Sequence, residues 1–317
     1  MTSETTPASE TTQASGTTPA SGTTPASETT PASRSARSGY VCVTFDFDAI
    51  SSWMARGMLT ATPLSRGEFA AVAVPRLLHI LESRGIPATW FVPGHTALTY
   101  PELTRELIAR GHEVAVHGHA HENVAALDPE AERAVLQRSL DALEEVTGTL
   151  PRGFRAPAWD LSDASVELLV EHGLRYDSSL MGHDYAPYPC RTPDVPHDSG
   201  VRWGEPAGLL EIPVAWSLDD FPYLEFLRTA SGLMPGLRDP REMFASWTAD
   251  LDYMVRDFKD GVLTVTMHPE VIGRGHRLLA LEHWLDEVAS RGVEFVTCEQ
   301  VTDLVAAGAD LGQYRPV

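Results

Sequence analysis

The sequence predicts an α/β fold, a distorted (β/α) barrel of about seven to eight strands. Two observations support this fold class. From Tyr40 onward, short runs rich in Val, Ile, Phe or Trp alternate with longer segments of helical periodicity. Polar and ionisable side chains directly follow several of the apolar runs, at the strand ends where barrels place their sites. A doubly wound open sheet has the same alternation and is the competing arrangement.

The predicted strands are short apolar runs, and most are bounded by Gly, Pro or Asp. They lie at residues 40–47, 88–92, 113–117, 153–156, 174–177, 209–214, 262–267 and 294–298. Helical patterns lie between them, at residues 66–84, 101–110, 128–146, 162–172, 240–258, 276–291 and 299–307. This alternation favours parallel strands joined by helical crossovers.

Several predicted helices carry capping signals. Asp128 and Asp239 each precede a proline at the first helical position. Glycines that suit left-handed C-terminal caps follow five helices: Gly85, Gly111, Gly148, Gly173 and Gly292. Residues 181–208 and 216–239 show neither pattern, so we predict two long irregular loops that form a substrate pocket.

The first 38 residues differ in composition from the rest of the chain. Residues 4–33 repeat a six-residue unit, as ETTPAS, ETTQAS, GTTPAS, GTTPAS and ETTPAS. Such a segment has almost no large apolar side chains to bury, so we predict a disordered tail over residues 1–38. Residues 39–317 are of a suitable length for one large domain.

Charge and cysteine usage limit the partners and the compartment. The chain has 24 Lys and Arg against 44 Asp and Glu, a net charge of −20, which disfavours nucleic acid and anionic membranes as partners. No apolar run approaches the length of a membrane-spanning helix. The N-terminus lacks the basic and apolar regions of a secretory signal, and the 3 cysteines are far apart. We therefore expect a cytoplasmic protein with reduced thiols.

Acids and imidazoles end two of the predicted strands. Asp46 and Asp48 stand two residues apart at the end of the first strand, so they share one face. Two carboxylates on one face repel each other unless, for example, a cation holds one of them. His117 and His121 follow another strand with His119 between them. A pair of imidazoles with a carboxylate suits a catalytic zinc ion.

Two further strands end in Arg155 and His268. The guanidinium of Arg155 is suited to hold a carboxylate through paired hydrogen bonds, although a surface ion pair is the simpler interpretation. A lone histidine such as His268 is equally consistent with a structural role. In a barrel, however, the strand ends meet at one mouth, where these residues and the acids form a single site.

This set of motifs resembles the polysaccharide deacetylases of carbohydrate esterase family 4, which share the NodB-homology domain. The resemblance covers about residues 40–300. The separated acids Asp46 and Asp48, with residues 216–223 and 268–274, look most like an intracellular branch. That branch includes peptidoglycan-deacetylase-like proteins and neighbours cyclic-imide hydrolases and metal-free allantoinases. The similar segments are residues 44–48, in which Phe47 separates acids that are usually adjacent, 117–121, 155–159 and 266–269, with residues 210–216 as a loose match.

The resemblance implies a metal site. Asp48, His117 and His121 would bind a divalent metal, which we expect to be Zn²⁺, with Co²⁺ or Ni²⁺ as alternatives. The metal-free relatives have lost the histidine pair, whereas this sequence keeps it. His119 has no implied role.

The resemblance also implies the acid–base residues and the reaction. Asp46 would be the general base, Arg155 would hold it ionised and oriented, and His268 would protonate the leaving nitrogen. The implied protein is a metal-dependent N-deacetylase, a hydrolase of non-peptide carbon–nitrogen bonds. Its expected substrate is a small molecule or an amino sugar, and its expected state is a homo-oligomer, a dimer or a tetramer.

The substrate itself is not readable from the sequence. The predicted substrate contacts are Trp159, in the segment 155–159, and three residues of the loop 216–239: Trp216, Asp220 and Tyr223. A hydrolase of cyclic imides or ureides is the alternative enzyme, because polymer substrates mostly lie outside the cell. A non-catalytic binding barrel is the alternative from another class, and a two-His, one-carboxylate iron oxygenase fits the ligand spacing poorly.

Overall fold

The computed structural model describes residues 38–229, 232–234 and 236–316 of the chain. The predicted tail over residues 1–38 therefore lies outside the described residues, except for Ser38. In the part of the chain that the structure describes, no helix combines the length and the apolar character that a membrane crossing requires.

Strands and helices alternate along most of the described chain. The strands are β1 Tyr40–Asp46, β2 Thr89–Val92, β3 Glu113–Val116, β4 Gly153–Phe154, β5 Tyr176–Asp177, β6 Tyr188–Thr192, β7 Val195–His197, β8 Gly200–Arg202, β9 Glu205–Glu211, β10 Leu227–Thr229, β11 Gly232–Met234, β12 Phe258–Lys259, β13 Val262–Met267, β14 Glu294–Phe295 and β15 Gln313–Tyr314. The helices are α1 Ser51–Ala55, α2 Ala61–Glu82, α3 Gly94–Thr99, α4 Pro101–Ala109, α5 Pro129–Thr147, α6 Ser165–Glu171, α7 Asp220–Leu224, α8 Pro240–Asp257, α9 Pro269–Ile272, α10 Gly275–Ala289 and α11 Cys298–Ala306.

A nine-stranded sheet forms the centre of the fold, in the order β13-β1-β2-β3-β4-β5-β9-β6, with β14 also paired with β1. Neighbouring strands from β13 to β9 are parallel, and β6 is antiparallel to β9. A single bridge between Asp219 and Thr266 joins the segment after β9 to β13 at the other end of this order. The sheet is a curled half-barrel, which confirms the predicted distorted (β/α) barrel.

The two faces of β1 separate the main core from a smaller core. Val41 and Phe45 belong to the large cluster of buried side chains that the helices form with the sheet. Tyr40 and Cys42 belong to the smaller cluster. Because side chains alternate along a strand, Asp46 falls on the same face as Tyr40 and Cys42. The strand therefore carries a carboxylate at its C-terminal end, on the face of the smaller core.

Most predicted elements are present, with shifted ends. The strand predicted at 294–298 ends at Phe295, because Thr297 caps the N-terminus of α11. The five predicted cap glycines have φ values between +62° and +82°, as a left-handed cap requires. The helices α1, α3 and α9 have only 5, 6 and 4 residues, and elements of this length show too little periodicity to be predicted.

Both predicted loops contain regular structure, so that prediction was wrong in part. Residues 181–208 include β6, β7, β8 and the start of β9, with β7 and β8 paired as a hairpin. Residues 216–239 include α7, β10 and β11. The strands β7 and β8 have 3 residues each and are largely exposed on both faces. They lack the alternation of apolar and polar residues by which a strand is recognised.

Gly153, at the start of β4, lies directly against the ring of Tyr176 on β5, and an added Cβ would overlap that ring. We expect Gly153→Ala to lower the free energy of unfolding by about 1–3 kcal/mol, the usual cost of overpacking. Gly275→Ala is the matched control, because its added Cβ has no neighbour within 4 Å, and it should change stability by less than about 0.5 kcal/mol. Urea unfolding measures both variants, and a Gly153→Ala protein as stable as the wild type would contradict this packing.

Candidate active site and metal centre

Three potential metal ligands come together after the carboxyl ends of β1 and β3. Nε2 of His117 lies 3.3 Å from Oδ1 of Asp48, and Nε2 of His121 lies 3.1 Å from Oδ2 of the same carboxylate. One ligand atom from each residue lies within 4.8 Å of the others. All three side chains are buried or nearly so. The structure thus brings together the three residues for which the sequence predicts metal binding.

A strained turn after β3 returns His121 to His117. Gly118 and His121 adopt φ values of +67° and +61°. Oε2 of Glu122 accepts hydrogen bonds from two backbone N–H groups of this turn at 3.0 and 2.8 Å. A left-handed backbone is uncommon for a residue with a Cβ, and such strain is concentrated at functional sites.

The donor atoms of this cluster suit a divalent cation. Nδ1 of His117 lies 2.8 Å from the carbonyl oxygen of Arg155, so in the neutral ring Nδ1 carries the hydrogen and Nε2 is the ligand atom. Burial opposes ionisation of Asp48, but His121 and His117 hold the pKa of this carboxyl well below its usual value. Its buried Oδ1 receives no hydrogen bond among the described residues, because the facing Nε2 of His117, at 3.3 Å, carries no hydrogen in this tautomer. Two imidazoles, a carboxylate and an unpaired buried oxygen fit a metal of the catalytic zinc type.

Arg155 is completely buried and holds the first acid of the motif. Its guanidinium donates to Oδ1 of Asp46 at 2.7 Å and to the hydroxyl of Thr44 at 2.8 Å. It also donates to the carbonyl and hydroxyl oxygens of Ser178 at 2.9 and 3.0 Å, and it lies over the ring of Phe91. The simpler interpretation of this arginine, a surface ion pair, is therefore wrong.

Asp46 and His268 leave adjacent strands at the same level. Phe45 of β1 is paired in register with Met267 of β13, and each precedes one of these two residues. Oδ2 of Asp46 does not bond to Arg155 and lies 3.8 Å from Nε2 of His117. Asp46, His268 and the potential metal ligands therefore belong to one site.

Asp220 fixes the orientation of His268. Its Oδ1 lies 2.8 Å from Nδ1 of the ring, and both carboxylate oxygens accept the backbone N–H of His268 at 3.1 Å. Burial opposes the imidazolium, but the charge of Asp219 and the hydrogen bond with Asp220 raise the pKa of His268 well above its usual value. Burial also raises the pKa of Asp219 to about 7. Because Nδ1 is committed to Asp220, Nε2 is the nitrogen available for proton transfer.

The four predicted substrate contacts have different surroundings. Trp159 and Trp216 stack with ring centroids 4.3 Å apart, and 46% of Trp216 is exposed. Tyr223 is half-buried and packs against the main core. Asp220 is completely buried against His268, an arrangement that does not suit a substrate contact. Its assignment is corrected to that of a partner of His268.

The sequence analysis assigns no role to Ser178 or Asp219, which the structure places in the site. No sequence pattern marks Ser178 as a site residue, because it contacts Arg155 through its backbone carbonyl as much as through its hydroxyl. Asp219 lies 3.7 Å from Nδ1 of His268 and stands next to Asp220, so the pair of adjacent acids is the one available signal. His119 is not part of the cluster formed by Asp48, His117 and His121, and its buried Nδ1 has no hydrogen-bond partner among the described residues.

Known proteins resemble this chain over most of its length. A sequence model of the family described as polysaccharide deacetylase matches residues 36–176. The chain is 34% identical over 283 residues to the peptidoglycan deacetylase of Helicobacter pylori. The alignment covers 84% of this chain and 96% of that protein. It is 33% identical over 287 residues to the peptidoglycan deacetylase-like protein FGM2 of Gibberella zeae, covering 82% and 84% of the two chains.

A crystal structure of a Mycobacterium smegmatis protein assigned as a polysaccharide deacetylase has the same fold. The TM-score is 0.75 at 34% sequence identity, with 91% of this chain and 99% of that chain covered. Together with the curated relatives, it confirms the family that the motifs predict. The chain belongs to the polysaccharide deacetylase family, a family of amide-hydrolysing enzymes.

Proposed function

We propose that this protein is a metal-dependent hydrolase that removes the acetyl group from an N-acetylated amino sugar. The observation that carries the proposal is a cluster of metal-ligand type, Asp48, His117 and His121, beside an acid and a histidine on adjacent strands, Asp46 and His268. Membership of the polysaccharide deacetylase family supports amide hydrolysis as the reaction class.

Asp48, His117 and His121 would hold the cation. Two imidazole nitrogens and one carboxylate oxygen are a donor set of catalytic zinc sites, and Co²⁺ or Ni²⁺ are alternatives. The cation, when bound, polarises the amide carbonyl and lowers the pKa of water toward neutrality.

Asp46 and His268 divide the proton transfers. Asp46 accepts a proton from the attacking water through Oδ2, because its Oδ1 is bonded to Arg155. Arg155 orients this carboxylate and balances its charge. His268 starts as the imidazolium, because its pKa is raised, and donates its proton to the leaving nitrogen. Asp46 gains one proton and His268 loses one, so the first products are acetic acid and the neutral amine. A proton then passes from this acid to the amine, which leaves acetate and an ammonium group.

An amino sugar is the proposed substrate class. A curated relative whose alignment covers 84% of this chain is named a peptidoglycan deacetylase. Trp216, stacked on the buried Trp159, presents an aromatic surface to solvent of the kind that lines small-molecule sites. The cytoplasmic location and the dimeric or tetrameric state stay predictions from the sequence.

Proton NMR of the zinc-loaded protein with a mixed pool of N-acetylated amino sugars and cyclic imides tests the reaction. We expect an acetate signal that grows with time, because the proposed reaction releases acetate. Ring-opened products without acetate would replace this proposal with the cyclic-imide hydrolase. The absence of any product would favour the non-catalytic barrel.

His117→Ala should lower both bound metal and turnover. Mutation of a residue that only hydrogen-bonds to a metal ligand typically lowers metal affinity or activity by about 10–100-fold. Removal of the ligand itself should therefore lower them by more than about 100-fold. His119→Ala is the matched control, because it removes a buried imidazole that lies outside the cluster, and it should keep both properties. Metal analysis and initial rates measure the two variants. Normal metal content and turnover in His117→Ala would refute the proposed site.

Asp220→Asn should move the alkaline limb of the pH–rate profile to lower pH. His268 must be protonated to act as the acid, so activity is lost as the pH rises through its pKa. The hydrogen bond with Asp220 helps to raise that pKa, and the neutral amide removes the charge. The dependence of kcat/KM on pH measures the shift, with the rate at low pH as the internal reference. An unchanged alkaline limb would show that His268 is not the acid.

A further inference from the structure

Two buried carboxyl groups lie beside the site and take no part in the mechanism above. Asp177 is the last residue of β5 and Glu211 is the last residue of β9, and the parallel register pairs them directly. Both side chains are completely buried, and the pairing of their two strand ends makes the carboxyl groups neighbours. Two ionised carboxylates buried as neighbours repel each other, and a proton on one of them removes that repulsion.

Most of the carboxyl oxygens of the pair already accept hydrogen bonds from neighbouring groups. Oε1 of Glu211 accepts the backbone N–H groups of Ser179 and Leu180 at 3.0 and 2.9 Å. Oδ1 of Asp177 accepts the hydroxyl of Ser179 at 2.7 Å. Oδ2 of Asp177 is buried without a donor among the described residues. Because Oε1 of Glu211 accepts two backbone N–H groups, Oε2 is the oxygen of this residue that can carry a proton without losing a backbone contact.

The segment that the pair holds is the segment that holds Arg155. Ser178 offers its carbonyl and hydroxyl oxygens to the guanidinium at 2.9 and 3.0 Å. The hydroxyl of Ser179 accepts the backbone N–H of the residue after the arginine at 2.8 Å. Arg155 in turn bonds to Asp46 at 2.7 Å. A chain of buried contacts therefore runs from the carboxyl pair to the general base.

We propose that Asp177 and Glu211 share one proton, carried on Oε2 of Glu211, and that the pair is a positioning unit for Arg155. With one proton the pair keeps a single negative charge, and the guanidinium stays bonded to Asp46. A second buried negative charge would compete with Asp46 for the same cation. The pair forms through two strand ends that are neighbours only in the folded sheet.

Three charged or titratable groups face the pair. Arg155, after β4, contributes its positive charge, and Tyr188 and Cys190 of β6 contribute a phenol and a thiol. Sγ of Cys190 lies 3.7 Å from Oε2 of Glu211. Burial raises the pKa values of this phenol and this thiol, so both stay neutral in the physiological range. Burial and the charge of Asp177 likewise raise the pKa of Glu211 well above its usual value.

Glu211→Gln tests the proton without any assay of activity. The amide keeps a carbonyl acceptor for the two backbone N–H groups and an N–H donor toward Asp177, but it cannot ionise. In the infrared difference spectrum of wild type minus variant at neutral pH, we expect the C=O stretch of a protonated carboxylic acid. A difference spectrum that contains only carboxylate bands would overturn the proposal.

The pH dependence of stability is a second readout of the same proton. The folded protein keeps the proton on Glu211, whereas the unfolded chain releases it above its ordinary pKa of about 4.3. Between that pH and the raised pKa of the folded state, wild type should lose stability relative to Glu211→Gln. The folding equilibrium constant should fall about tenfold for each pH unit. If the ratio of the folding equilibrium constants of wild type and Glu211→Gln stayed constant over this pH range, a shared proton would be contradicted.

Turnover tests the positioning role, and this readout rests on the proposed function. Glu211→Leu removes the acceptor of two backbone N–H groups, so kcat should fall by about tenfold or more while the zinc content is unchanged. Glu211→Gln keeps those contacts and should stay close to the wild-type kcat. Equal losses in both folded variants would overturn the positioning role. Absence of acetate release in wild type as well would instead refute the proposed function, while the infrared and stability measurements still test the pair.

Discussion

The buried guanidinium of Arg155 is the interaction on which the rest of the site depends. A fully buried charge must be balanced inside the protein, and removal of its partner costs about 3–5 kcal/mol. Asp46 supplies the balancing charge, and Ser178 supplies two further acceptors. The backbone carbonyl of the same arginine orients His117 through Nδ1. One residue therefore positions both the proposed base and a proposed metal ligand.

Backbone strain is concentrated around the same site. Six described residues other than glycine adopt positive φ, and four of them are site residues or lie within four positions of one: Ala49, His121, Ala158 and Trp159. Such conformations cost roughly 1–3 kcal/mol each and persist only where the surrounding structure imposes them. Here the buried network around Arg155 and the hydrogen bonds of the turn after β3 hold the backbone. Part of the folding free energy is thus used to aim the site residues.

The acids of the site are distinguished by their neighbours. Asp46 is bonded to a guanidinium, Asp48 lies between two imidazoles, and Asp220 is bonded to a third imidazole. Asp177 and Glu211 have no cation of their own, and a shared proton is the remaining way to bury both. Groups of the same chemical type therefore take different charge states and different roles, as the burial and the partner of each require.

The sequence by itself determined the fold class and the strand-end positions of the acids, the arginine and the histidines. The two-residue period of a strand and the common edge of parallel strand ends are enough for that. Only the tertiary structure decided that Asp220 supports His268 instead of meeting substrate, and that Asp177 meets Glu211. The first pair is 48 residues apart in the chain, and the second depends on β5 and β9 being neighbours. No local pattern encodes which strands pair, because burial of the whole core selects that arrangement.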